Sequence, residues 1–269
     1  MRASAFASAA SFLLAACTAP PQPQAGAGGT PRRVVSLNLC TDELLLLLAG
    51  PDQVASVTHL SHLPAETPLA RMASRYPAND GKLANSMAAA PDLVLTQGGG
   101  GDPAGIAARI GVPLIDLPFP QTIDDVKASI GTVAQALGRG RAGEALIARI
   151  DALQASEPSA TRETLWFGAD GRTAAADGLT AQWMRLAGFE QRAEASEQVT
   201  METLLVRPPE WLLRSSYRAD QYSRSLARGK ALLERGGRRL ALVNTDGRRW
   251  TCMGPLLIDE ILRLRRETA

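Results

Sequence analysis

The sharpest chemistry in this chain belongs to three cysteines and two histidines. Cys40 follows a short apolar run, Cys252 lies near the C-terminal end, and Cys17 stands in the first twenty residues. In an exported protein a cysteine pair invites a disulfide. For Cys40 and Cys252, free thiols facing a ligand or a soft metal and ordinary buried positions are the alternatives. His59 and His62 sit three apart, whereas a metal site takes about four ligands, or three with an open position. No HxxxH pattern or acidic cluster completes a set around them. They read as hydrogen-bonded imidazoles on a polar loop, with axial donation to a metal held inside a chelate as the functional alternative. No resident metal and no cofactor is expected. Gln97-Gly98-Gly99-Gly100-Gly101-Asp102 is glycine-rich, but it lacks the Gly-Lys-Ser/Thr that opens the helix of a phosphate loop. These glycines let backbone approach a bulky ligand or form a turn. No G-x-S-x-G elbow is present, paired carboxylates are missing from the candidate loops, and a His59–Cys40–Thr41 cluster matches no catalytic pattern. The chain is therefore expected not to be an enzyme.

Aromatics make up only 4% of the residues, so each is informative. Trp166, Trp183, Tyr217, Tyr222 and Trp250 are the main aromatics with a polar tip. Trp250 follows a strand and precedes a Gly-Pro turn, which predicts a position facing a cleft, where a flat wall suits macrocycles and catechol-type chelates. Trp183 keeps helical spacing with Leu179 and Leu186 and reads as core, as does Trp211 at the start of a strand.

The elements that position these residues begin after an unusual leader. Residues 1–17 carry one positive charge at Arg2, then a small and apolar run too short to span a bilayer, ending in Leu14-Ala15-Ala16-Cys17. That ending resembles the bacterial lipobox, which implies cleavage before Cys17, lipidation of its thiol, and an anchor of two or more acyl chains. Residues 18–32, rich in Pro, Gln and Gly, cannot build a core and read as a flexible tether. No later segment is a membrane-span candidate. The folded remainder belongs to a chain of 269 residues with 45% hydrophobic content and a formal charge of +2, enough for one or two compact units. Its arginines are scattered, so no nucleic-acid footprint is present.

Strands and helices alternate from Arg33 onward. Strands are predicted at Val34–Leu37, Val54–Thr58, Leu93–Thr96 and Pro113–Leu117. A helix capped by Thr41 and stopped by Gly50-Pro51 follows the first strand. Thr122–Leu153 reads as one long helical stretch, with a stripe of Ile123, Val126, Ile130, Val133 and Leu137 interrupted at Gly138-Arg139-Gly140. A second block follows, with strands at Leu165–Phe167, Trp211–Leu213 and Leu240–Val243 and helices at Ala181–Ala187, Met201–Val206 and Leu256–Leu264. The fold class is α/β: two lobes with mostly parallel sheets, residues 33–121 and 159–269, joined by an inter-lobe helix over 122–158, with a ligand cleft between them.

The order of "RVVSLNLCTDELLLLLAG", "APDLVL", "TIDDVKASIGTVAQALGRGRAGEALIARI", "METLLVRPPEWLL" and "RRWTCMGPLLIDEILRL" resembles the helical-backbone class of periplasmic binding proteins that serve cobalamin and ferric-siderophore ABC importers. The resemblance spans residues 33–269. It implies a monomeric lipoprotein of the periplasm that captures a corrinoid or an iron chelate of siderophore or haem type, and passes it to a permease with its ATPase. A ligand-sensing or buffering lipoprotein of the same fold is the alternative. Carried over residue by residue, it puts Asn38, Cys40 and Thr41 at the cleft mouth. His59 and Leu60, Gln97 and Gly98, and Trp250, Thr251 and Cys252 join them there, with the two cysteines on opposite lobes. In the family, acids on each lobe pair with permease arginines. Glu202 matches the second-lobe acid, but the first-lobe place reads Ala84-Asn85-Ser86, leaving Asp80 as the candidate substitute.

Overall fold

The computed structural model describes residues 29–98, 101–168, 171–216, 231 and 240–268. Cys17 with its leader, most of the tether, Gly99 and Gly100, Tyr217 and Tyr222 lie outside the described residues.

Val34–Ser36 (β1) has no exposed position, because both faces of its sheet are covered. Alternation sends Val34 to one side and Val35 to the other, into two separate apolar clusters. Val54–Thr58 (β2), Ala78–Asn79 (β3), Leu93–Gln97 (β4) and Leu114–Leu117 (β5) complete a five-stranded sheet in the order β3-β2-β1-β4-β5. All its pairings are parallel. The loops after β1, β2, β4 and β5 therefore share one edge, where ligands sit in such sheets. The second sheet has the order β7-β6-β8-β9, formed by Arg162–Phe167 (β6), Phe189–Gln191 (β7), Trp211–Ser216 (β8) and Ala241–Asp246 (β9), again wholly parallel. The chain is thus two parallel-sheet α/β lobes, as its alternating pattern predicts. The edge strands β3 and β7 are additional; with two and three residues they are too short to show a period.

The first helix, Leu39–Leu48 (α1), starts three residues earlier than the sequence pattern suggests. Asn38, not Thr41, is its N-cap: the Asn38 Oδ1 accepts from the amides of Cys40 (3.1 Å) and Thr41 (2.9 Å). Thr41 is fully buried, and its hydroxyl pairs with that of Ser36 at 2.7 Å. The helices Ala70–Ala73 (α2), Leu83–Ser86 (α3) and Gly101–Ile110 (α4) belong to the same lobe.

The connector is two helices, Ile123–Ala136 (α5) and Gly140–Ala155 (α6), rather than one rod. A capping box fixes the start of α5, with the Asp125 amide donating to the Thr122 hydroxyl and the Thr122 amide to the Asp125 carboxylate. Gly138, at φ +66, supplies the left-handed turn that reverses the chain. The helices then pack so closely that a Cβ on Gly143 would stand 2.5 Å from that of Ala134. Ile130, on α5, and Ile150, on α6, are both fully buried. They join Leu45 of the first lobe and Leu213 of the second in one continuous core. The two lobes thus share a core through their connector. Leu179–Leu186 (α7), Met201–Val206 (α8), a short helix at Gly247–Trp250 and a final one at Leu257–Glu267 complete the second lobe.

Candidate functional site

Where the two sheet edges face each other, a cleft of about 290 Å3, counting its open mouth, lies beside the connector. The first lobe supplies Cys40, Glu43 and Gln97, the connector Val126 and Ser129, and the second lobe Cys252, Gly254 and Pro255. Cys40 and Cys252 are joined as a disulfide across it, with Cα atoms 5.2 Å apart at a sequence separation of 212. Of the three states open to these cysteines in the sequence, the structure holds the bridge.

Glu43 makes the second crossing. Its carboxylate accepts from the Leu256 amide at 3.1 Å, and Gly254 is the residue that lets it in: a Cβ there would stand 2.6 Å from Glu43 Oε1. Burial pushes the Glu43 carboxyl up to about 7, against the lowering effects of the Leu256 amide and the Arg249 charge. A third crossing lies further out. Arg248, clamped by both oxygens of Asp246 at 2.8 and 2.7 Å, donates to the carbonyl of Pro64 at 2.7 Å. The charge of Asp246 thus orients a guanidinium that ties the lobes at the loop after β2.

That loop is itself held from below. Asp42 is fully buried in α1 and accepts from the Thr58 amide (3.2 and 3.1 Å), the Thr58 hydroxyl (2.5 Å) and the Ser61 hydroxyl (2.5 Å). Burial raises its pKa above the usual carboxylate range, although these donors pull the other way. The sequence suggests only a favourable acid in the first turn of a helix. Asp42 is in fact the anchor of the turn His59–His62.

The residues expected at the cleft therefore separate. Cys40, Gln97 and Cys252 line it together, and Gly98 follows Gln97 at its rim. Asn38 caps α1 and also donates from Nδ2 to the Gln97 carbonyl at 3.3 Å, so it ties β1 to β4. Thr41 has no surface, which corrects its placement at the mouth: the helix begins at Leu39, so Thr41 lies one turn in and under the strand end. His59 and Leu60 stand on the exposed 3-10 turn after β2, with His59 Nδ1 3.4 Å from the Asn79 carbonyl. Trp250 is also corrected. It is 3% exposed, bonds the Thr245 hydroxyl through Nε1 at 2.7 Å, and meets Trp166 edge to face at 4.5 Å. The turn of helix at Gly247–Trp250, which a strand-then-turn reading missed, rotates its ring into the second lobe. Thr251, just after it, is exposed. Trp183 is core as expected, fully buried with Nε1 bonded to the Met253 carbonyl at 3.1 Å. Trp211 is half-buried, with Arg162 over its ring. Glu202 sits exposed in the first turn of α8, and Asp80 is exposed at the end of β3, accepting from Asn85 and the Lys82 amide. Among the described residues, no group of three or more His, Cys, Asp or Glu side chains could hold a metal ion. No helix among them is long and apolar enough to cross a membrane.

This geometry has relatives. The periplasmic haem-binding protein HutB of Vibrio cholerae matches over 88% of this chain and 98% of its own, with TM-score 0.69 and 18% identity. The periplasmic haem-binding protein RhuT of Roseiflexus sp. RS-1, in apo form, matches over 90% and all of its length, with TM-score 0.64 and 22% identity. The periplasmic vitamin B12-binding protein BtuF of Vibrio cholerae matches over 87% and 95%, with TM-score 0.64 and 17% identity. At these identities the likeness is one of fold. No curated protein matches the sequence. A family model described as periplasmic binding protein does match, over residues 34–230, which is well over half of the chain. With two parallel lobes, a helical connector and a cleft at their strand ends already in view, the chain belongs to the periplasmic binding protein family.

Proposed function

We propose that this protein is the solute-binding lipoprotein of an ABC importer, held at the membrane by lipid on Cys17, which captures a corrinoid or an iron chelate and delivers it to the permease. The observation that carries the reading is the convergence of strand-end loops from both lobes on one cleft beside a stiff helical connector. Solved proteins of this fold described as haem-binding and vitamin B12-binding support the ligand class. Capture and release are the whole mechanism in this reading: the cleft offers shape, apolar wall and a few polar groups, and the continuous core keeps the lobes docked.

Glu202 is the permease contact of the second lobe, and Asp80 is the best-placed acid of the first. Neither is buried, and hydrogen bonds keep both carboxylates charged: those of the Glu202 backbone and Thr200, and those of Asn85 and the Lys82 amide. A sensing or buffering lipoprotein is the second reading, favoured by Ala84-Asn85-Ser86 standing where an acid is expected.

Titration of the purified chain with cyanocobalamin, haemin and a ferric siderophore, followed by tryptophan fluorescence, tests the ligand class. Silence with all three discards it. Glu202→Ala in vesicles carrying the permease should leave ligand affinity unchanged and slow uptake. Unchanged uptake removes Glu202 from the dock.

A further inference from the structure

The bridge partitions the cleft. At Cys40–Cys252 the two backbones are 5.2 Å apart, and the Glu43 contact to Leu256 closes the adjoining turn of α1. A flat ring system between two walls needs a van der Waals gap of ~3.5 Å on each side, ~7 Å in all. No planar ligand passes between the lobes at that point. The open space is lined by the bridge itself and Glu43, and by Gln97, Pro120, Val126, Ser129 and the turn around Gly254. The 290 Å3 counts the open mouth, and the enclosed part is far smaller than the roughly 300–1,000 Å3 of ligand cavities. A large ligand therefore rests partly on the rim.

Beside Pro120 stands Phe119, 64% exposed and the only Phe, Tyr or Trp in the exposed class among the described residues. It precedes the cleft-lining Pro120 and lies against Gly98, the neighbour of the cleft-lining Gln97. Its ring lies against Gly98, where a Cβ would come 2.1 Å from Phe119 Cε2, and Gly98 takes φ +57 to make the turn. The backbone beneath is fixed. The Gly98 amide donates to the Leu117 carbonyl at 2.9 Å, Gln97 Nε2 donates to the Pro118 carbonyl at 3.1 Å, and prolines flank the phenylalanine on both sides. A ring carried on so fixed a backbone, backed on one side by Gly98 and otherwise exposed, is placed for a partner with a flat face.

We propose that Phe119 is the first lobe's stacking platform for a planar conjugated ligand, an aromatic macrocycle or an aryl chelate, and that it sets the preference for that class. The proposal rests on the solute-binding reading above and narrows it.

The test compares the full chain with Phe119→Ala, Phe119→Leu and Phe119→Trp in equilibrium titrations. The probes are haemin, a ferric tris-catecholate and a ferric trihydroxamate that has no aromatic ring. For whichever aromatic probe the wild type binds, Phe119→Ala should raise Kd by roughly 3- to 10-fold, the range expected for one stacked ring. Phe119→Leu should recover part of that loss and Phe119→Trp all of it, with the trihydroxamate unaffected throughout. Melting curves of the variants should overlay the wild type, because the ring is exposed. An unchanged Kd for the aromatic probe in Phe119→Ala overturns the platform alone, as does an equal loss for the trihydroxamate. A wild type that binds only the trihydroxamate also overturns the platform and leaves solute binding standing. A wild type that binds none of the three removes the iron-chelate and haem ligand class, and the platform with it.

Discussion

Removing the Cys40–Cys252 bridge should cost this protein more stability than almost any other two-residue change, and should do so mainly through the unfolded chain. The disulfide closes a loop spanning 212 positions. In the loop-closure description the unfolded ensemble loses 2.1 + 1.5R ln n of entropy, about 18 cal/mol/K here, or about 5 kcal/mol at 25 °C. That is the top of the range observed for natural bridges. For a domain of this size each kcal/mol moves Tm by about 2–4 °C, so the expected fall is about 10–20 °C. The native state itself should change little. One continuous core runs from Leu45 through Ile130 and Ile150 to Leu213, so the lobes stay docked without the covalent link.

The assay is guanidinium unfolding of the wild type, oxidised and reduced, beside Cys40→Ala/Cys252→Ala. Near-UV circular dichroism monitors the Trp166–Trp250 pair, whose rings lie 4.5 Å apart. Reduced wild type and the double variant should share a lowered midpoint and keep the native near-UV signal. Two free cleft thiols would instead give a shift under about 0.5 kcal/mol on reduction, within the range of ordinary surface changes. Such a small shift, with both cysteines alkylating in untreated native protein, would refute the bridge. Loss of the near-UV signal on reduction would refute a different step, the claim that the shared core holds the lobes.

Three further outcomes follow from the buried acids and the glycine between the lobes. Glu43 has a folded pKa of about 7 against an ordinary 4.5, so the folded state binds the extra proton between those values. Stability from this group is present in full below pH 4.5 and is lost as pH rises through 7, up to roughly 3 kcal/mol. Denaturation midpoints of Glu43→Gln should be flatter than wild type between pH 5 and 8; parallel curves would contradict the assignment. Asp42→Ala leaves the Thr58 amide and the hydroxyls of Thr58 and Ser61 without their acceptor, which should cost about 3 kcal/mol and speed hydrogen exchange of the turn His59–His62. A cost under about 0.5 kcal/mol would remove Asp42 as the anchor. Gly254→Ala places a methyl 2.6 Å from Glu43 Oε1, and should break the Leu256 contact; loss of that donor, which lowers the pKa of the buried carboxyl, should move the Glu43 titration further above about 7. An unmoved titration would mean the carboxylate is not lodged there.

Much of this fold is readable from the chain alone, because parallel strands buried on both sides announce themselves as short unbroken apolar runs. Val34-Val35 and Leu93-Val94-Leu95 are such runs, and the helices between them carry one-sided stripes. The edge strands β3 and β7 escaped because two or three residues cannot display a period. The reversal at Gly138 was visible as an interruption, but its consequence was not. A glycine at a helix end permits either a kink or a full turn, and only the close approach of Gly143 to Ala134 selects the turn.

The site was less readable for a different reason. Placing a loop at a strand end locates its backbone, while a ligand meets side chains, and one residue of helical phase turns a side chain away. Starting α1 at Leu39 instead of after Thr41 moves Thr41 from the mouth to the interior and makes Asn38 a cap. One turn of helix at Gly247–Trp250 does the same to Trp250. Phe119 illustrates the converse. Nothing in Pro118-Phe119-Pro120 reads as a binding motif, and a phenylalanine closing a strand is ordinarily counted as core. It lies against Gly98, the residue after β4, which gives the ring a floor without covering it. The information lies in a pair of residues 21 positions apart on adjacent strands, and a periodicity measured along one segment at a time cannot hold it. The same is true of Cys40 with Cys252 and of Glu43 with Gly254, so each crossing of this cleft is a property of the sheets' alignment before it is a property of any local sequence.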